Sequence, residues 1–333
     1  MNAPKRNTPV GSLILALVSM IWGFSFAVQK TAGKTLLPFS VNTVRFFIGA
    51  LTLSLFSLFR CLIRRRRDPA CRPAPFSRTD LVAGAICGTL LFVSSALQQF
   101  SLDEGDAGIC AAITTLYIVF VPLFGAIVFR KRVTVFVIVA GAIALAGTFF
   151  LSVLGELPGA DGVRSASDLI ALARSADLSV GRPALFALLC SIGFSFQILS
   201  VDRFARDVDG IRLATMEFLV SGVLGIPFLL FREHPTPSDV AAALVPLLYL
   251  GILSCGVAYT LQIVGQSKTP PAVAAVVMSL EAVFGALGGI LFLGERMNAP
   301  EILGCALIFA AVLTVELSAL HKTEKTGLSP SGK

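Results

Sequence analysis

The chain has 333 residues, 55% of them hydrophobic and only 14% charged, with a formal net charge of +7 and a mean hydropathy of +0.84. A soluble globular chain carries about 25% charge. A deficit spread over the whole length therefore excludes an ordinary water-soluble domain and implies that lipid solvates most of the chain. The positive balance does not point to nucleic acid, because the basic residues stand in short clusters between apolar runs, as they do in cytoplasmic loops.

A transmembrane helix needs roughly 20 apolar residues to cross about 30 Å of hydrocarbon. Ten stretches meet that need, near Val10–Gln29, Pro38–Phe59, Asp80–Phe100, Asp106–Phe129, Val133–Leu154, Pro183–Val201, Ile211–Phe231, Val240–Gly265, Pro270–Leu293 and Ala299–Ala319. The expected fold class is an all-α integral membrane protein with ten transmembrane helices. Lys5 and Arg6 precede the first stretch as they would a signal peptide, but Trp22 and Phe24 fill the place of a small-residue cleavage site. With the N-terminus in the cytoplasm, most of the 27 Lys and Arg fall on the inner side, including Arg60, Arg78, Arg130, Arg203, Arg212 and Lys268. Both ends are therefore expected in the cytoplasm. Arg64–Arg67 reads as a stop-transfer anchor rather than a headgroup or nucleic-acid patch.

The polar segment Gly155–Arg182 divides the spans five and five. It reads as an extracytoplasmic linker carrying a short surface helix near Ser167–Ser175. The expected units are residues 10–154, the linker 155–182, and residues 183–319. The seven cysteines lie mostly inside apolar runs, without metal-ligand spacing, and read as small buried hydrophobes.

The two halves match each other. At an offset of 164 residues, Leu97-Gln98 meets Leu261-Gln262, Thr115-Leu116 meets Ser279-Leu280, Phe120 meets Phe284 and Arg132 meets Arg296. Gly23-Phe24-Ser25-Phe26 recurs as Gly193-Phe194-Ser195-Phe196, and Arg45-Phe46 aligns with Glu217-Phe218. Thr79-Asp80 and Ser238-Asp239 supply N-cap chemistry at the third and eighth spans. Five is odd, so the second copy enters the membrane from the opposite side. The expectation is an inverted-topology repeat, an architecture that supports alternating access about a site near the midplane.

Met20-Ile21-Trp22-Gly23, Arg45, Leu116–Leu123, Ser279–Phe284 and Leu293-Gly294-Glu295-Arg296 give the chain its resemblance to a known family. It resembles a bacterial, EamA-type member of the drug/metabolite transporter superfamily, whose members carry two five-helix repeats. The resemblance implies an inner-membrane exporter of small organic metabolites, amino acids or drug-like compounds, with no cofactor. Ala282 stands where the family usually has Pro, and Arg130-Lys131-Arg132 replaces the Gly-Glu-Arg exit in the first copy.

A charge at the bilayer centre costs about 2.5–3.5 kcal/mol, so each one needs a reason. Arg45 lies roughly 10 Å below the outer boundary, within snorkelling reach of water. Glu217 lies roughly 9 Å from the cytoplasmic side, and a structural pair with Arg45 is one reading of both residues. Glu281 is roughly 15 Å deep, beyond the reach of either surface. It must face a cavity, pair with a cation or be protonated, which are the circumstances of a proton-coupling carboxylate. Tyr117 takes the slot that Glu281 fills in the other half. With Gln98, Gln262, Trp22, Ser25, Ser195, Gln197 and Tyr259, these two form the expected substrate or proton pathway, suited to an amphipathic organic solute. Each of these polar residues alone is more often packing glue between helices. Gly84…Gly88 and Gly285…Gly289 read as close helix contacts.

Hydrolytic chemistry has no visible machinery. Lys34-Thr35 imitates the end of a phosphate loop, but Val28 stands where its first glycine belongs. His234 and His321 lie outside the spans, and no nucleophile elbow or zinc-protease motif is present. The expected partners are a small-molecule solute, protons, the bilayer and a second copy in a homodimer, with no metal and no nucleic acid. An uncoupled facilitator, a receptor and a scaffold are the alternatives, and only the facilitator shares the need for a midplane pathway.

Overall fold

The computed structural model describes residues 9–67, 76–105, 107–128, 130, 133–155, 157–175, 181–205, 207–288, 290–291 and 297–325. Lys5, Arg6, Cys71, Lys131, Arg132, Gly289 and Leu293-Gly294-Glu295-Arg296 lie outside them. Among the described residues every regular element is helical. In chain order come α1 (Pro9–Ala32), α2 (Pro38–Arg67), α3 (Arg78–Glu104), α4 (Ala107–Thr114), α5 (Tyr117–Ile127) and α6 (Val135–Phe149). The expected surface helix is α7 (Ala166–Ser175). Then come α8 (Arg182–Phe204), α9 (Gly210–Phe228), α10 (Pro237–Ala242), α11 (Leu244–Leu248), α12 (Thr260–Lys268), α13 (Pro271–Met278), α14 (Leu280–Gly288) and α15 (Ala299–Lys325).

Among the described residues, seven helical runs are long and apolar enough to cross a membrane: Pro9–Ala32, Pro38–Ile63, Arg78–Glu104, Arg182–Phe204, Gly210–Glu233, Leu244–Lys268 and Pro271–Gly288. The remaining three stretches expected to span appear as shorter apolar helices, Tyr117–Ile127, Val135–Phe149 and Ala299–Val315. Leu13, Leu55, Phe59, Phe136, Phe231 and Leu313 are each more than half exposed, as side chains facing lipid are.

The fourth expected span is not continuous, and the reason is local. Leu116 N–H reaches only to Ile113 O, at 3.1 Å, and Ile118 N–H to Thr115 O, at 2.9 Å. These tighter bonds to the residue three back wind the chain out of α-helix between α4 and α5. Pro122, inside α5, removes one more backbone donor a turn later. In the second half the break falls at Ser279, whose hydroxyl donates to Val276 O at 2.6 Å and so competes for a helix carbonyl. The two breaks fall where Thr115-Leu116 aligns with Ser279-Leu280.

The eighth expected span is irregular in another way. Residues Tyr249–Tyr259 wind in wide turns with bonds to the residue five back, a rare form that is frequent at functional sites. The Asp residues named as entry signals do act there, one turn further in than expected. Ser77 caps α3 in a capping box with Asp80, and Thr236 caps α10 in a box with Asp239. The hydroxyl and amide of Thr236 hold the Asp239 carboxyl below the usual carboxylate range.

Small residues let the helices approach. A Cβ on Gly88 would stand 2.6 Å from Glu217 O and 2.7 Å from Val220 Cβ, so α3 and α9 touch along their backbones. Gly84 sits against the Met216 Cβ on the same seam. Of the second expected pair, Gly285 has only ordinary contact with Gly23 O at 3.8 Å. The close approach there is made by Gly23, whose added Cβ would lie 2.5 Å from Phe284 Cβ and 2.7 Å from Glu281 O. Elsewhere, Glu233, five residues beyond α9, accepts from the Phe39 and Ser40 amides at 2.9 and 2.6 Å, tying that segment to the start of α2.

α6 and α15 meet at Gly147, where an added Cβ would fall 2.7 Å from Gly304 O. Backbone cannot yield as a flexible side chain does. Gly147→Val is therefore expected to destabilise the protein by about 1–3 kcal/mol, measured by thermal unfolding in detergent micelles. Gly162→Ala, with nothing within 4 Å of the added carbon, is expected to stay within about 0.5 kcal/mol of the parent.

Candidate functional site

Glu281 stands in the first turn of α14 and Tyr117 opens α5, each just past its helix break. The breaks bring the two residues together: Tyr117 Oη donates to Glu281 Oε1 at 2.9 Å, and both side chains are buried. These are the two residues that occupy one slot in the two halves. The bond therefore joins the halves at matched positions.

A cavity opens beside this pair. α1 contributes Trp22, Ser25, Phe26 and Gln29, and α2 contributes Arg45. Gln98 comes from α3, Thr114 from the end of α4, and Phe194, Gln197 and Ile198 from α8. Ser254 and Tyr259 come from the wide-turn segment, Gln262 from α12 and Met278 from α13.

One wall is aromatic. Trp22 meets Tyr259 edge-on, with ring centroids 4.7 Å apart. Tyr259 rests at 90° on Phe218, which stacks on Phe46 at 6.0 Å. Phe46 in turn lies 5.0 Å under the Arg45 guanidinium. Trp22 Nε1 donates to the backbone oxygen of Ser254 at 3.3 Å, a carbonyl within the wide-turn segment. Ser25 gives its proton to Ile21 O at 2.8 Å, the same carbonyl that Tyr249 takes from outside the cavity lining at 3.0 Å.

Two intramembrane charges sit behind or beside this wall. Arg45 is 4% exposed, so it does not snorkel to a surface. Its Nη1 donates to Gln29 Oε1 at 2.7 Å, and its Nε has no hydrogen-bond partner among the described residues. Glu217 is fully buried and accepts from Gln197 Nε2 at 2.9 Å, leaving Oε2 without a partner among the described residues. Arg45 and Glu217 therefore form no ion pair here; each is held instead by a glutamine from the opening span of its own half. Gln262 Oε1 and Gln197 Oε1 are further buried acceptors without a partner among the described residues.

The structure brings most of the expected residues to one place: Glu281, Tyr117, Gln98, Gln262, Trp22, Ser25, Gln197 and Tyr259 all line the cavity. Ser195 does not. Its hydroxyl donates to Ser191 O at 2.7 Å, along its own helix, as buried serines commonly do. Glu217 reaches the cavity only through Gln197. Gln29, Thr114 and Ser254 were not anticipated. Gln29 stands seven residues after Trp22, two helical turns along the same face of α1. That spacing was the signal available for it.

Residues 9–153 and 181–317 match the model of the EamA-like transporter family. An uncharacterized transporter of Archaeoglobus fulgidus is 28% identical over 304 residues, covering 91% of this chain and 84% of that protein. A protein of known crystal structure superposes with a TM-score of 0.70 at 19% identity, covering 94% of this chain and 99% of the other. That likeness extends to the fold. With the family match running over most of the chain, the protein belongs to the EamA-like transporter family and is a multi-pass membrane transporter.

Proposed function

We propose that the chain is a secondary transporter of small organic metabolites, amino acids or drug-like compounds in a bacterial inner membrane. Two inverted five-helix units, residues 10–154 and 183–319, rock about the central cavity to give alternating access. The observation that carries this reading is the Tyr117–Glu281 hydrogen bond, which joins matched breaks in two helices beside a cavity with several polar side chains in its lining. Broken helices are tolerated at membrane depth where they are buried in protein or line such a cavity. Export as the direction rests on the family resemblance. Cytoplasmic termini and an outer linker rest on the Lys and Arg distribution.

Glu281 carries the coupling. It is the only carboxylate lining the cavity among the described residues, and its neighbour there is a hydroxyl rather than a cation. A carboxyl so placed gains a proton on one side of the cycle and loses it on the other, with Tyr117 Oη following as its donor. An uncoupled facilitator would use the same cavity and would need the Tyr117–Glu281 bond only as a tie between helices.

Proteoliposomes with an imposed pH gradient separate these readings, using a radiolabelled amino-acid mixture and ethidium as solutes. The parent protein is expected to accumulate at least one of them in response to the gradient. Glu281→Gln is expected to abolish that accumulation while leaving exchange of label at equal pH. Unchanged accumulation by Glu281→Gln would sink the coupling role, and equilibration of the parent without regard to the gradient would establish the facilitator.

A further inference from the structure

Coupling gives Glu281 a role but leaves Arg45 without one. Arg45 lines the cavity at 4% exposure, and a guanidinium cannot shed its proton to relieve burial. No carboxylate among the described residues lies within ion-pair distance. The Glu281 carboxyl is taken by Tyr117, and the Glu217 carboxyl by Gln197. What Arg45 has is one neutral amide oxygen on Nη1, an aromatic face beneath it, and a buried Nε that donates to nothing among the described residues. A permanent cation in a low-dielectric site calls for an anion, and the planar guanidinium fork matches a carboxylate best. The rest of the lining supplies the other half of a ligand's shape, with Trp22 and Tyr259 forming an aromatic wall and Phe194 adding a further apolar surface.

We infer that the cavity takes a small organic anion, a carboxylate-bearing compound with an apolar or aromatic body. The carboxylate sits on the Arg45 guanidinium and the body lies against Trp22 and Tyr259. This assignment rests on the transport reading of the same cavity and narrows its solute class. It also gives the matched pair Arg45 and Glu217 different tasks, since Glu217 stands outside the lining and Arg45 within it.

Trp22 is the single tryptophan of the chain, so its emission reports on the cavity without a label. The full-length protein in lipid nanodiscs is titrated with para-bromophenylacetate, its neutral amide and para-bromophenethylamine, whose bromine quenches indole on contact. The acetate is expected to quench saturably at roughly tenfold lower concentration than the amide or the amine, the increment of one charge-assisted hydrogen bond. Arg45→Lys is expected to keep the preference for the anion. Arg45→Gln is expected to lose it, with the emission maximum of the unliganded protein and the weaker quenching by the amide unchanged. Equal quenching by acetate and amide in the parent, or an undiminished preference in Arg45→Gln, would overturn the assignment. Should Arg45→Gln not fold, the parent's selectivity and the Arg45→Lys titration decide by themselves. Arg45-dependent quenching without accumulation in proteoliposomes would leave the anion site standing and remove transport. Accumulation confined to neutral or cationic solutes would do the reverse.

Discussion

The Tyr117 hydroxyl donates to the Glu281 carboxyl with both side chains buried, and much of the surrounding structure is arranged to allow it. A buried polar group that loses its partner costs about 1–3 kcal/mol, more if charged. The bond is therefore a constraint on the fold rather than a decoration of it. For the two side chains to meet, α4 must break before Tyr117 and α13 before Glu281, and both breaks are built from tightened backbone turns. α1 must also lie close against the Glu281 carbonyl, which only a residue without a side chain at position 23 permits. Trp22, one residue earlier, is thereby set into the cavity wall. The Trp22-Gly23 dipeptide is thus a packing requirement and a cavity surface side by side.

A second matched pair shows how the halves depart from one another. Arg45 and Glu217 occupy corresponding positions and are gripped in the same manner, by Gln29 and by Gln197. Their charges are opposite, and only Arg45 lines the cavity. Phe46 and Phe218, the next residues in each half, stack on each other and carry the wall formed by Tyr259 and Trp22. Matched backbone positions thus hold unlike chemistry: tyrosine against glutamate at the centre, arginine against glutamate further out.

The burial of Glu281 was legible in the sequence, because a carboxylate ten residues inside an apolar stretch has few routes to water. Its equivalence with Tyr117 was legible too, through the alignment of the halves. Their contact was not, since alignment says which positions correspond and not which touch. Gly23 read as part of a repeated tetrapeptide, and its use as a crossing point is visible only with α14 beside it. Ser195 was misplaced because its hydroxyl has a carbonyl one turn back to satisfy it, an option no linear motif discloses. The snorkelling alternative for Arg45 failed because neighbouring helices and Phe46 enclose it. Hydropathy marked the apolar stretches, seven of which form helical runs long enough to cross a membrane among the described residues, but not the interruptions at Thr115-Leu116 and Ser279, where hydroxyl chemistry and turn geometry outweigh an apolar composition.

An exchange of the two central side chains tests the account most directly. Tyr117→Glu and Glu281→Tyr are made singly and together, and thermal unfolding in detergent is measured for all four proteins. If the residues form one bond across related helix breaks, each single variant loses stability and the double variant regains most of it. The expected coupling is about 0.5–3 kcal/mol. Losses that simply add in the double variant would contradict the account, leaving the two residues as neighbours without a shared role.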